Sequence, residues 1–213
     1  MSDETRPPRA LATGVASGLV LMAVFSLWWA SDTFTGWPTP VAAVVMVVSA
    51  VAAGLFLVQA VRLLVAGRRM STVLSASDQA RKPNGALFGA VFGAEGLLIG
   101  VAVGVLGANG LDRFIVPTIA VIVGLHFYPM ARVFHRSIDT WIATWTTLVG
   151  LAGVVAVLAD GSAWPLAWSW VGAGAAAATL SYGGYMTRFG QRLLARSAEA
   201  ASTVAAPRPT VQG

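Results

Sequence analysis

The chain has 213 residues, of which 56% are apolar and 11% are charged, and its formal net charge is +5. Soluble proteins contain about 45–50% apolar and about 25% charged residues, so a water-soluble domain is excluded. The absence of cysteine excludes a disulfide scaffold and a thiolate metal site, and two histidines are too few for a three-histidine zinc site. The composition therefore predicts an integral membrane protein, and we expect neither a metal ion nor another cofactor.

Six stretches are long and apolar enough to cross a bilayer, which takes roughly 20 apolar residues. They lie at about 10–30, 41–66, 86–106, 114–134, 138–158 and 164–186. We expect an all-α fold in which residues 1–213 form a single six-helix transmembrane domain. The Pro-, Thr- and Ala-rich tail, residues 202–213, is expected to be disordered.

The first stretch also resembles a cleaved signal peptide, with Arg6 and Arg9 ahead of an apolar core at Leu11–Phe25. A signal peptide needs small residues at its cleavage site, and Trp28 and Trp29 lie there instead. A retained first helix is therefore favoured.

Basic residues lie almost entirely on one side of the predicted bundle. The only exception among the 14 lysines and arginines is Arg113, in the connection after the third span. The positive-inside rule therefore predicts that both termini are cytoplasmic. The basic rim then faces anionic lipid headgroups, and no nucleic-acid partner is expected. Arginine greatly outnumbers lysine, which is typical of a high-GC bacterium and indicates a bacterial plasma membrane.

The third predicted span carries a row of glycines, called the glycine face below. Its members are Gly85, Gly89, Gly93, Gly96, Gly100 and Gly104. At 100° per residue they occupy a wedge about 100° wide. Small residues allow close helix contacts in lipid, so we expect another helix to pack on this face and the third span to be central. A hinge or a close approach to substrate is the alternative.

Two ionisable residues lie deep in predicted spans, Glu95 in the third and His126 in the fourth. Each is about 12–13 Å from the cytoplasmic boundary at 1.5 Å per residue. A charge at the bilayer centre costs roughly 3 kcal/mol, so these side chains are expected to meet each other instead of lipid. Thr118, two turns outward of His126, extends the polar track.

Three interpretations of Glu95 and His126 compete. The pair is a structural clamp between two helices, a proton relay or coupling site, or the two side chains do not touch. The last follows if the fourth span fills the glycine face, because Glu95 lies about 130° from its centre at 100° per residue.

A second polar cluster is predicted at the inner mouth of the bundle. It contains Tyr128, Arg132, His135 and Arg136. One interpretation is an anion or phospholipid headgroup site. The other is general headgroup contact, with Arg136 paired to Asp139 across a turn.

The stretch Gly124-Leu125-His126-Phe127, with Pro129 and Ala131, carries a GLHF-x-P-x-A motif. It resembles a family of small, multi-span bacterial integral membrane proteins of unknown function. The resemblance implies that His126 and Pro129 belong to a family motif. It supplies no activity, substrate or cofactor.

Three hypotheses of function follow. The first is a small, proton-linked transporter or permease-like protein that uses Glu95 and His126. The second is a non-catalytic membrane component that assembles with itself or a partner membrane protein through the glycine face. The third is an intramembrane enzyme acting on a lipid, which two deep ionisable residues support only weakly, so a non-enzymatic role is favoured.

Overall fold

The computed structural model describes residues 7–71, 85–134 and 136–205, and every regular element in these ranges is helical. The α-helices are α1 (Arg9–Ser31), α2 (Thr39–Gly67), α3 (Gly85–Ala108), α4 (Ile115–Phe134), α5 (Ser137–Ala159) and α6 (Trp164–Ala205). Short 3-10 turns at Asp32–Thr35, Asp112–Phe114 and Gly161–Ala163 connect some of them. The predicted all-α fold is confirmed.

Helices α1 to α5 are each long and apolar enough to cross a membrane. Helix α6 is less apolar and much longer, with 42 residues. It begins where the sixth span was predicted but continues past residue 186 to Ala205. The prediction of disorder from residue 202 is therefore wrong for residues 202–205, because alanine and arginine in the preceding turns favour a continuing helix. Residues 206–213 lie outside the described residues.

The chain divides into two compact units. Unit 1 comprises Met1–Leu21, Leu55–Lys82 and Gly183–Gly213, and unit 2 comprises Met22–Gly54 and Pro83–Tyr182. Helices α1, α2 and α6 each contribute to both units.

In unit 1, the start of α1 packs with the ends of α2 and α6. Leu19 and Leu63 are fully buried. Gly183 lies against the ring of Phe56, and a methyl group added to Gly190 would be 2.8 Å from a Leu63 methyl carbon. The described arginines of unit 1 lie outside this apolar packing. Exposed arginines of unit 1 are Arg9, Arg62, Arg68, Arg69, Arg188, Arg192 and Arg196.

In unit 2, α4 and α5 are in backbone contact. A methyl group added to Gly150 would lie 2.7 Å from the Val121 nitrogen and 2.9 Å from the Pro117 oxygen. One added to Gly124 would lie 2.5 Å from the Thr147 nitrogen. Glycines of α4 and α5 thus provide the close approach that was expected of α3.

The prediction that another helix packs on the glycine face of α3 is wrong for the described residues. A methyl group added at any of its six glycines would meet nothing within 4 Å. Glu95 is the buried residue of α3, and α4 packs on that side of the helix. Because Glu95 points about 130° away from the glycine face, α4 leaves that face open. Helix α3 is therefore peripheral in the described part of the chain.

Candidate functional site

A tight turn after α3 reverses the direction of the chain, so that the next helix, α4, runs back beside α3. Gly110 has φ 65°, a left-handed conformation that favours glycine. The Leu111 N–H donates to the Leu106 oxygen at 2.9 Å, and the Gly110 N–H donates to the Gly107 oxygen at 3.1 Å. This Schellman-type ending stops α3 and lets α4 return beside it. The turn thereby sets the middle of α4 opposite the middle of α3.

The structure brings Glu95 and His126 together. His126 Nδ1 lies 3.1 Å from Glu95 Oε1, and the two side chains are only 11% and 10% exposed. Glu95 is about 15 Å from the start of α3, and His126 is about 12 Å from the end of α4 at 1.5 Å per residue. The pair therefore joins the two helices near their midpoints.

Hydrogen bonding fixes the tautomer of His126. Nδ1 lies 2.7 Å from the Val123 carbonyl oxygen, which can only accept, so Nδ1 carries the proton. The same nitrogen is within ion-pair distance of Glu95 Oε1. In the neutral ring, Nε2 is therefore the unprotonated nitrogen and a hydrogen-bond acceptor. A carboxylate that holds an imidazole in one tautomer also stabilises the imidazolium formed when Nε2 takes up a proton.

Both side chains line an open cleft of about 260 Å³ between α3 and α4. The other lining residues are Val91, Ala94, Leu98, Ile122, Leu125 and Pro129. Apolar groups therefore surround one carboxylate and one imidazole.

Aromatic rings surround the imidazole. The Phe92 ring meets it edge-on at 6.2 Å between centroids, and the Phe127 ring is tilted at 4.3 Å. Phe127 in turn meets Tyr182 of α6 at 5.8 Å. These contacts restrict the orientation of the His126 ring and help keep it directed at Glu95.

Thr118 does not join this site. It is half-buried two turns away on α4 and is not among the residues that line the cleft. The polar track predicted from Thr118 to His126 is therefore wrong in this structure, because the α4 residues at the cleft come from positions 122 to 129.

The predicted inner-mouth residues have separate partners. The Tyr128 hydroxyl is 3.0 Å from Thr144 Oγ1, which itself donates to the Thr140 oxygen. Arg132 is exposed, and His135 lies outside the described residues.

Arg136 is turned toward its own neighbours. Its guanidinium carbon is 4.4 Å from the centre of the Phe134 ring, and its Nε is 3.5 Å from Asp139 Oδ2. The Arg136–Asp139 turn pair is therefore present, and the described residues do not form a common anion pocket at this end.

Asp139 is a buried carboxylate whose environment the sequence did not reveal. Its side chain is fully buried, with Arg136 nearby and the Tyr182 hydroxyl beside it. Position 139 looked like a turn residue because it lies at the predicted end of a span. Only the packing of α6 onto α5 shows that it is enclosed.

Among the described ranges, no three His, Cys, Asp or Glu side chains are grouped closely enough to hold a metal ion. Comparison with protein-family models, curated proteins and solved structures finds no match to the chain. The resemblance of the GLHF-x-P-x-A stretch therefore stays a prediction.

Proposed function

We propose that the protein is a small, proton-linked transporter of a bacterial plasma membrane, in which all six helices cross the bilayer and both termini are cytoplasmic. We also propose that it belongs to the family indicated by the motif around His126. The Glu95–His126 pair in its cleft is the observation that carries the transport function.

The charge distribution supports the proposed orientation. Unit 1 holds most of the chain segments expected on the cytoplasmic side, apart from the turn at 135–137, and its seven described arginines are all exposed. Glu199 is the acidic residue described in this unit. A strongly basic surface suits the anionic cytoplasmic leaflet. Helix α6, with 42 residues, is about 63 Å long at 1.5 Å per residue, which exceeds the bilayer core of about 30 Å.

Proton coupling requires a titratable group that both a proton and a substrate can reach. His126 Nδ1 and Glu95 Oε1 lie 3.1 Å apart, and the two side chains face a cleft large enough for a small molecule. An ionisable pair within a membrane is costly unless it is paired, and such residues commonly mark proton or substrate pathways. If the Glu95–His126 pair only held α3 and α4 together, it would not require a cleft beside it.

Transport is tested in proteoliposomes with a pH-sensitive dye inside. Benzylguanidinium and benzenesulfonate serve as probes, because both stay charged over the pH range used and therefore cannot carry protons through lipid. We expect the protein to move protons in response to a gradient of one probe, and Glu95→Gln to reduce this flux at least tenfold. The Gln side chain has the same shape but cannot ionise.

Glu199→Gln is the matched control, since Glu199 is an exposed carboxylate of α6. Gel filtration and helical circular dichroism establish that each variant is folded. Proton flux that is absent with both probes, or unchanged in Glu95→Gln, would contradict the transport function.

A second function, assembly with another copy of the chain, is favoured by the open glycine face of α3. A methyl group added at any of its six glycines would meet nothing within 4 Å, although such rows normally serve close helix contacts. We expect the protein to be oligomeric in lipid and Gly93→Leu to shift it toward the monomer. Val105→Leu is the control, because Val105 is exposed on α3 outside the glycine face. Single-molecule photobleaching counts the copies, and a monomeric wild type would contradict this function.

A further inference from the structure

We propose that the cleft between α3 and α4 binds an organic ammonium ion with a compact apolar body, and that this ion exchanges with a proton on Glu95. The inference rests on the proposed transport function for its biological role. The binding chemistry follows from the polar atoms that the cleft presents.

When the ring is neutral and the carboxyl is ionised, the only hydrogen-bond donor of the pair is already used. The Nδ1–H of His126 donates to the Val123 oxygen at 2.7 Å, and Nδ1 lies 3.1 Å from Glu95 Oε1. Among the described residues, Glu95 Oε2 and His126 Nε2 have no hydrogen-bond partner. Both atoms are acceptors when the ring is neutral and the carboxyl is ionised.

Pro129 adds a further acceptor at the same place. It lies inside α4 and lines the cleft together with Leu125, four residues earlier. Proline has no N–H, so the Leu125 carbonyl loses the donor that it would have in a regular helix. Backbone carbonyls freed in this way need another donor inside a membrane.

A site that offers acceptors and negative charge selects a ligand that brings donors and positive charge. An organic ammonium supplies both. An organic anion would meet only acceptors. A neutral hydrocarbon would leave the buried polar atoms unpaired, which costs about 1–3 kcal/mol per group.

The volume and lining define the rest of the ligand. An apolar cavity of about 150 Å³ accommodates benzene. The cleft of about 260 Å³ therefore has room for one ring and a short aminoalkyl arm. Its six remaining lining residues are apolar and uncharged, so they favour a hydrocarbon body. Because the Glu95 carboxylate can hold either a proton or the ammonium group, occupation by one displaces the other.

Binding is tested by isothermal titration of the full chain in nanodiscs of uncharged phosphatidylcholine. Benzylammonium is the probe, and benzenesulfonate and benzyl alcohol are the anionic and neutral comparisons. We expect benzylammonium to bind at least tenfold more tightly than either comparison. Glu95→Gln should weaken this binding at least tenfold, whereas Glu199→Gln should leave it unchanged. Pro129→Ala restores the N–H near Leu125 and should weaken binding about threefold.

Three results would overturn the inference: no binding of benzylammonium, equal or tighter binding of benzenesulfonate, or the same affinity in Glu95→Gln. The proteoliposome assay separates this inference from the transport function. Proton flux coupled to benzenesulfonate would retain transport and reject the ammonium ligand. Benzylammonium binding that depends on Glu95, without proton flux coupled to benzylguanidinium, would retain the site and reject transport.

Discussion

A carboxylate among packed helices is stable only where a positive or hydrogen-bonding group meets it. Unit 2 contains two carboxylates that are paired in this way, Glu95 and Asp139. Glu95, 9% exposed, meets His126 at an open cleft, where a ligand can reach both side chains. Asp139, fully buried, meets Arg136 and Tyr182. The first carboxylate faces an open cleft, whereas the second is enclosed by packed side chains.

This difference predicts that Asp139→Ala lowers stability. Removal of the carboxylate leaves the half-buried Arg136 without its ion-pair partner, at a cost of about 1–3 kcal/mol. The thermal midpoint in detergent micelles, followed by tryptophan fluorescence, should fall by several degrees. Asp112→Ala is the control, because Asp112 is exposed in the turn before α4. Equal midpoints for the two variants would contradict the structural role of Asp139.

At the scale of helices, the positions of glycine determine which backbones touch. On α4 and α5 the glycines meet a neighbouring backbone, as Gly124 does with Thr147. On α3 they meet nothing within the described residues. The sequence pattern predicted the opposite, because a regular glycine row is a strong packing signal and isolated glycines are weak ones. Which face a helix turns inward depended on the burial of Glu95, which sequence spacing alone did not decide.

A matched pair of substitutions tests this contrast. Gly124→Ala should destabilise the protein by about 1–3 kcal/mol, because the added methyl group overlaps the backbone at Thr147. Gly93→Ala should be neutral or stabilise by up to about 1 kcal/mol, since alanine favours helix and the face is open. Thermal unfolding of both variants in the same detergent provides the measurement. A larger loss at Gly93 would show that its face is covered.

At the scale of the whole molecule, the sixth helix decides the topology. Helices α1 to α5 are apolar enough to span, whereas α6 reaches its length with a less apolar sequence. If α6 crosses the membrane as a sixth span, its end and the α3–α4 turn lie on opposite sides of the membrane. If only α1 to α5 cross, the two lie on the same side. The chain has no cysteine, so single-cysteine variants report sidedness without background.

We expect Asn109→Cys and Ser202→Cys to be labelled from opposite sides of the membrane. In intact cells, an impermeant maleimide should modify Cys at position 109 only, and permeabilisation should expose position 202. Both positions are exposed in the structure. Labelling of both variants in intact cells would contradict the sixth span and the cytoplasmic C-terminus.

The sequence by itself determined the helical class, nearly all helix boundaries and the matched depth of Glu95 and His126. It could do so because apolar length and helical rise are local properties of the chain. Only the tertiary structure decided that Glu95 and His126 meet at a cleft that Thr118 does not line. It also decided that Asp139 is enclosed and that no helix of the described residues covers the glycine face. These outcomes depend on the rotation of each helix about its axis, which is set by contacts between residues distant in the sequence.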